Sequence, residues 1–122
     1  MPRRQIVPIF FLAAAICAGG ATPALSETSR RCFVGQDAGG GAVRMALEEF
    51  RARHFWEYTG RVSSTTAGVW QIKADGHSGA GRIFKRHEYD NTARFIQLTR
   101  RGEGVSLAVE GWGTVILGPT RC

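Results

Sequence analysis

Beyond residue 55, hydrophobic and polar positions alternate along the chain in short runs rich in aromatic and β-branched residues. Trp56, Tyr58 and Val62 alternate with polar residues in the first run, and residues 69–73 form the second. Alternation with a period of two is typical of a half-buried strand. Four further runs predict strands over residues 82–89, 93–100, 105–110 and 112–117.

The turns between these runs indicate how the six strands connect. Asp90-Asn91 lies between residues 82–89 and 93–100, and Gly111 separates the last two runs, so each pair is predicted to form a hairpin. Closely spaced strands with tight connections favour an antiparallel meander, which either curls into a small barrel or covers one face with a helix.

The segment 42–53 supplies such a helix in this interpretation. It consists of good helix formers and places Val43, Leu47 and Phe50 at helical spacing. Val43, Met45 and Leu47 also alternate as in a strand. The predicted fold is therefore mainly β (α+β): a small antiparallel meander or barrel of about six strands with one N-terminal helix.

The first 26 residues have a different character from the rest of the chain. They begin with the basic pair Arg3 and Arg4, continue in an apolar run, and end in small residues that include Ala24 and Ser26. This is the three-part pattern of a secretory signal peptide. We expect cleavage to leave residues 27–122 as a single secreted β-rich domain of a bacterial protein, located in the periplasm or outside the cell.

The chain has three cysteines. Cys17 lies in the predicted signal peptide, where a lipoprotein signal and an uncleaved anchor are the alternative interpretations. Cys32 and Cys122 stay in the mature chain, and an oxidising compartment favours a disulfide between them. Closing a loop of about 90 residues stabilises a fold by roughly 4–5 kcal/mol in the chain-entropy model.

The formal charge of +6 is concentrated in the segment 82–101, where Glu88 and Asp90 are the only acidic residues. Arginine matches phosphate and carboxylate groups in a bidentate way, and clustered cations attract polyanions. The predicted binding residues of this basic hairpin are Arg82, Lys85, Arg86, Tyr89, Arg94, Arg100 and Arg101. The expected partner is an anionic envelope polymer, a lipid headgroup or an acidic protein, and export argues against nucleic acid. An ordinary solvated strand face is the alternative.

Catalytic and metal-binding motifs of the common classes are absent from the sequence. His77 and His87, with Asp75 and Glu88 nearby in the chain, are the candidate metal ligands. Ser78, His87 and Asp75 are the residue types of a Ser/His/Asp catalytic triad. Exposed, unliganded histidines are the simpler interpretation. We therefore expect no enzyme activity, no cofactor and no metal.

Two short segments resemble known families. Gly68-Val69-Trp70 resembles the G-x-W motif of lipocalin-type barrels and of small periplasmic protease inhibitors. Ser78-Gly79-Ala80, followed by a basic-aromatic strand and a terminal cysteine, is similar to the loop of periplasmic lysozyme inhibitors. Each resemblance covers three residues, and no functional residue is carried over from either family.

The three tryptophans, Trp56, Trp70 and Trp112, all fall on predicted strands, where large rings are typically buried in the core. Trp112, flanked by two glycines, is the one most suited to stacking on a sugar or peptide. The sequence as a whole predicts a small exported, non-catalytic binding module that uses the basic hairpin. The alternative is a periplasmic or secreted inhibitor of a hydrolase that presents the loop His77–Gly81.

Overall fold

The computed structural model of the protein describes residues 26–122, so residues 1–25 of the predicted signal peptide lie outside the described residues. Eight strands make up this part of the chain. They are β1 (Ser26–Gln36), β2 (Ala42–Ala52), β3 (Phe55–Ser64), β4 (Gly68–Asp75), β5 (Ala80–Phe84), β6 (Arg94–Arg101), β7 (Gly104–Val109) and β8 (Gly113–Thr120).

The strands form a closed antiparallel barrel in which each pairs with its neighbours in sequence and β8 returns to pair with β1. Closure removes the exposed edges that an open sheet presents. The mainly β, antiparallel character and the barrel predicted from the sequence are thereby confirmed.

Alternate residues of every strand point into the barrel and fill it. In β2, for example, Val43, Met45 and Leu47 are buried, whereas Ala42 and Arg44 beside them are exposed. β4 and β6 show the same period of two, as expected for a sheet with one face on the core. The largest fully buried side chains are Met45, Ile72, Ile83, Leu107 and Leu117.

The helix predicted over residues 42–53 is wrong, because this segment is β2. It pairs along its whole length with β1 on one side and with nearly all of β3 on the other. Two complete ladders and the burial of Val43, Met45 and Leu47 outweigh the few tenths of a kcal/mol per residue by which helix propensities differ. Tertiary pairing, not composition, determines the element.

The strand count and the predicted hairpin limits also differ from the structure. Eight strands replace six, because residues 26–36 and 42–52 also form strands, β1 and β2. The predicted strand 82–89 ends at Phe84, and residues 85–93 form a loop rather than a tight turn. The Asp90 carboxylate organises this loop by accepting hydrogen bonds from the amides of Arg86, His87 and Thr92.

The predicted disulfide between Cys32 and Cys122 is present, with the two Cα atoms 5.1 Å apart. It lies where the barrel closes. Strands β1 and β8 pair over only four positions, from Cys32–Thr120 to Gly35–Leu117, whereas β1 and β2 pair over eleven. The disulfide therefore reinforces the shorter of the two ladders that β1 makes.

The barrel has two ends of different character. We call the end where β1 begins the arginine end, because Arg31, Arg51 and Arg100 lie there in inward-facing positions of their strands. We call the opposite end, where Trp70 and Trp112 meet, the tryptophan end. No helix in the described part of the chain is long and apolar enough to cross a membrane.

Candidate functional site at the arginine end

A cavity of about 390 Å³ opens at the arginine end of the barrel. Inward-facing side chains of the strands form this cavity as well as the core. Beyond the last core residue of each strand, the next inward-facing residues lie at the rim of the cavity. Phe33, Leu47, Leu98 and Val105 form an apolar floor, and all four are buried. A concave site with an apolar floor and a few convergent polar groups is the usual form of a binding site.

Tyr58 and Trp56, two residues apart on β3, form an aromatic wall of the cavity. The Arg51 guanidinium lies 4.1 Å from the centre of the Trp56 ring, and His77 meets the same ring edge-on at 5.0 Å. Gly76 lies directly against this ring, and a Cβ at that position would clash with it. Only glycine therefore fits beside Trp56 at this position.

Three arginines surround Tyr58. Arg31, Arg51 and Arg100 come from β1, β2 and β6, and each acts on the phenol through its charge. Burial is the main reason that the pKa of Tyr58 is raised, and the Glu49 carboxylate adds to the effect, while the arginines oppose it. The phenol is therefore neutral at physiological pH and able to donate a hydrogen bond into the cavity.

The three arginines differ in their ion pairing. Arg51 Nε is 2.8 Å from a Glu49 carboxylate oxygen. Among residues 28–122, whose side chains the structure describes, neither Arg31 nor Arg100 has a carboxylate within ion-pairing distance, since the remaining ion pairs all involve Lys73. Glu103 also lies at the rim. The mouth of the cavity therefore carries two arginines whose charge is available to a ligand.

The loop between β4 and β5 forms one side of this mouth, and its hydrogen bonds hold it in one shape. The Asp75 carboxylate accepts from the amides of His77 and Ser78, which lowers the pKa of this carboxyl. Gln97 donates to the Ser78 carbonyl, and the Leu98 amide donates to the carbonyl of Gly79. His77 and Ser78 are themselves exposed, so a rigid loop presents two polar side chains beside the cavity.

The seven predicted binding residues do not form one face. Arg94 and Arg100 occupy the two ends of the same inward row of β6, roughly 20 Å apart at about 3.3 Å per residue. Arg100 lies at the arginine end, whereas Lys85 and Arg94 lie over the rings of Trp70 and Trp112 at the other end. Arg86 belongs to the loop after β5, and Arg101 is exposed at the end of β6.

Arg82 and Tyr89, also of the predicted set, lie together on the outer wall of the barrel. The Arg82 guanidinium carbon is 5.4 Å from the centre of the Tyr89 ring and 4.6 Å from that of Phe95, on the outer wall. Arg82 and Phe95 line a shallow groove on this wall. The acidic residue Glu88 lines the same groove and is paired with Lys73. The wall is therefore mixed in charge rather than basic.

Neither the metal site nor the Ser/His/Asp triad weighed in the sequence analysis is assembled in the described residues. These residues contain no cluster of three or more histidine, cysteine, aspartate or glutamate side chains that could hold a metal ion. Asp75 is bonded to loop amides, His87 Nδ1 accepts from the amide of Tyr89, and no hydrogen bond joins Ser78 to His87 in this part of the chain.

Sequence reasoning missed the arginine end because its residues are far apart in the chain. Arg31, Glu49, Tyr58 and Arg100 become neighbours only when the barrel closes. One signal was available, since the inward alternation of Val43, Met45 and Leu47 continues to Glu49 and Arg51.

Comparisons of the chain with protein-family models, with curated proteins and with solved structures find no match.

Proposed function

We propose that the protein is an exported, non-catalytic binding module that recognises an acidic protein partner through the arginine end. The observation that carries this proposal is the convergence of Arg31 and Arg100 on a cavity with an apolar floor, both without an ion-pair partner among residues 28–122. An aspartate or glutamate side chain of a partner fits this combination, because its short apolar stem enters the cavity while its carboxylate meets the arginines.

The structure of the loop supports a protein rather than a flexible polymer as the partner. The loop after β4 is fixed by hydrogen bonds from both its backbone and its side chains, and it projects beside the cavity. Preorganised loops lose little conformational entropy on binding a complementary surface. A shaped cavity and a rigid loop together suit a partner that has a defined shape of its own.

Export is supported by the disulfide between Cys32 and Cys122, since disulfides persist in oxidising compartments. The mass of the intact protein purified from its own compartment tests this part of the proposal. We expect a chain that begins at Glu27 and weighs two hydrogens less than its reduced form. A chain that retains residues 1–26, or that carries two free thiols, contradicts export by a cleaved signal peptide.

Retention on immobilised poly-L-glutamate tests the proposed surface. We expect the mature protein to bind at low salt and to elute as salt rises, because exposed charge pairs are screened. The double variant Arg31→Gln with Arg100→Gln should bind at least about fivefold more weakly, the loss expected for two ion pairs of roughly 0.5 kcal/mol each.

The matched control is Arg82→Gln with Arg86→Gln, which removes the same charge from the basic hairpin. It should leave retention within twofold of the unmodified protein. Loss of retention in this control but not in the arginine-end variant would return the binding surface to the hairpin. Retention on heparin or on phosphatidylglycerol vesicles, without retention on poly-L-glutamate, would identify a polymer or a lipid headgroup as the partner instead.

A second candidate function is inhibition of a hydrolase, and the exposed, rigid loop favours it. Many glycoside hydrolases carry two carboxyl groups in their active-site cleft. A loop that presents His77 and Ser78 next to Arg100 complements such a cleft in shape and charge. In this case the acidic partner is the enzyme itself, and binding blocks access of the substrate.

Inhibition assays with a lysozyme and with a serine protease test the second candidate. We expect slower clearing of bacterial cell walls by the lysozyme in the presence of the protein. Replacement of Ser78 by Tyr should abolish inhibition, because a bulky ring at the exposed tip blocks entry into a cleft, while Arg86→Gln should not. Full enzyme activity at a large excess of the protein would reject inhibition of both hydrolases and leave the binding proposal intact.

A further inference from the structure

The tryptophan end of the barrel holds a second cavity, of about 470 Å³, which the proposed function does not use. This volume falls within the range of about 300–1,000 Å³ that small-ligand sites occupy. The floor of the cavity consists of aliphatic core side chains, which are Val43, Val62, Ile83, Leu107 and Val109. Ala67, Val115 and Trp112 form partly exposed apolar walls above this floor. An apolar ligand in the cavity would shield these walls from water, which favours binding.

Two tryptophan rings form one side of the cavity. The rings of Trp70 and Trp112 meet edge to face with centroids 4.9 Å apart, and the Trp70 indole nitrogen donates to the Ala67 carbonyl. Lys85 Nζ is 4.8 Å from the centre of the Trp70 ring, and the Arg94 guanidinium carbon is 5.1 Å from that of Trp112. Both cations contact the rings, but neither is among the described residues that line the cavity.

The polar part of the lining comes from the connection between β1 and β2, from the end of β3 and from the turn that follows β3. Asp37, Ser64 and Thr66 line the cavity there, and Asp37 is the one charged residue among the described residues of the lining. Its Oδ1 atom accepts from the amides of Gly39 and Gly41, whereas its Oδ2 atom accepts only from the Thr66 hydroxyl in this part of the chain. A carboxylate has about four lone-pair positions, so Oδ2 can accept a further hydrogen bond.

The charge of Asp37 determines which polar group a ligand can carry. Hydrogen bonds from the Gly41 amide and the Thr66 hydroxyl hold the pKa of this carboxyl below its usual value, so it is ionised at neutral pH. A ligand group that donates a hydrogen bond gains a charge-assisted contact with the carboxylate. A ligand carboxylate instead meets a like charge, in a lining without a cation among the described residues. The lining therefore selects against anions.

We propose that the tryptophan end binds a small apolar molecule whose one polar group is a hydrogen-bond donor, such as an alcohol or an amine. The apolar body lies on the aliphatic floor and against the Trp112 ring, and the polar group donates to Asp37. This site is independent of the proposed partner surface, since the two cavities lie at opposite ends of the barrel.

Three eight-carbon probes, octanol, octylamine and octanoate, test the site, because they share one apolar body and differ in the polar group. Calorimetry measures the affinity of the mature protein for each probe. We expect octanol and octylamine to bind at least about tenfold more tightly than octanoate, a difference of about 1.4 kcal/mol.

Nuclear magnetic resonance locates the bound probe, because the chain has three tryptophans and each supplies one indole N–H signal. The signals of Trp70 and Trp112 should shift during titration with octanol. The signal of Trp56, at the arginine end, should not shift.

Two variants separate the charge from the apolar wall. Asp37→Asn removes the charge with little change in shape, so it should weaken octylamine severalfold and bring octanoate within about threefold of octanol. Trp112→Ala removes a wall of the cavity and should weaken octanol at least about fivefold. Its matched control is Ile116→Ala, which removes an exposed apolar side chain of β8 outside the cavity and should leave octanol binding unchanged. Circular dichroism confirms that each variant is folded.

The arginine-end variant, Arg31→Gln with Arg100→Gln, should leave octanol binding unchanged, which distinguishes this proposal from the proposed function. Loss of octanol binding in that variant would overturn the proposal, because the ligand would then lie at the other end of the barrel. Octanoate binding as tight as that of octanol, or octylamine binding unaffected by Asp37→Asn, would overturn it as well. So would indole signals of Trp70 and Trp112 that respond to none of the probes at millimolar concentration.

Discussion

At the scale of single residues, Tyr58 reports most directly on the charges of the arginine end. Burial and Glu49 raise its pKa, while Arg100, Arg51 and Arg31 lower it. A raised pKa means that the folded state holds the phenolic proton more tightly than the unfolded chain. The corresponding stability is complete below the unfolded value near 10 and is lost as the pH rises through the folded pKa.

We predict that Arg31→Gln with Arg100→Gln raises the pKa of Tyr58 further, because it removes two of the charges that favour the phenolate. Absorbance at 295 nm measures the titration. The chain has two tyrosines, so a Tyr89→Phe background leaves Tyr58 as the only reporter. A pKa that does not change in the double variant would show that these arginines do not act on the phenol.

At the scale of elements, the loop over residues 85–93 depends on one half-buried carboxylate, that of Asp90. Asp90 accepts hydrogen bonds from the hydroxyl and the amide of Thr92 and from the amides of Arg86 and His87. These bonds, with the Thr92 hydroxyl as the largest contribution, hold the pKa of Asp90 far below the usual value for aspartate. The loop is therefore ordered above the unfolded pKa of about 3.9 and loses this support as the pH falls toward the folded pKa.

We predict that Asp90→Ala accelerates hydrogen exchange at the amides of Arg86, His87 and Thr92 at neutral pH, because all three lose their acceptor. Exchange in β2 and β7 should be unchanged, since the barrel does not depend on this loop. The Glu88→Ala variant is the matched control, because it removes an acidic residue of the same loop. Equal protection of the three amides in Asp90→Ala and in the unmodified protein would contradict the assigned role.

The sequence pattern predicted the elements where alternation and composition agree, as in Val69–Lys73, which lies within β4. It failed at residues 42–52, where helix-forming side chains occupy a strand, because the deciding ladders come from β1 and β3. It also grouped Arg82 with Arg100 because they are close in the chain. In the structure Arg82 lies on the outer wall of the barrel, whereas Arg100 lies at the mouth of the cavity.

At the scale of the whole molecule, the disulfide and the barrel closure act together. The ladder between β1 and β8 is short, and Cys32 is part of it while Cys122 lies two residues beyond its end at Thr120. Part of the arginine end belongs to β1, so closure also positions Arg31 relative to Arg100. The site therefore depends on a contact between the two ends of the described chain.

We predict that Cys32→Ser with Cys122→Ser lowers the free energy of unfolding by up to about 4–5 kcal/mol, the chain-entropy value for a loop of this length. Urea denaturation measures the loss. Hydrogen exchange should rise first at the pairs between β1 and β8, whereas the ladder between β1 and β2 should be protected longer. A loss below about 1 kcal/mol would show that the ladder alone maintains closure.

The most direct test of the central claim is a map of the surface that meets an acidic partner. Nuclear magnetic resonance shifts, followed during titration of the mature protein with poly-L-glutamate, supply that map. We predict the largest changes at the side chains of Arg31 and Arg100, at Tyr58 and in the loop around Ser78. Changes confined to Arg82, Arg86 and Tyr89, with the arginine end unaffected, would contradict the account and place recognition on the basic hairpin.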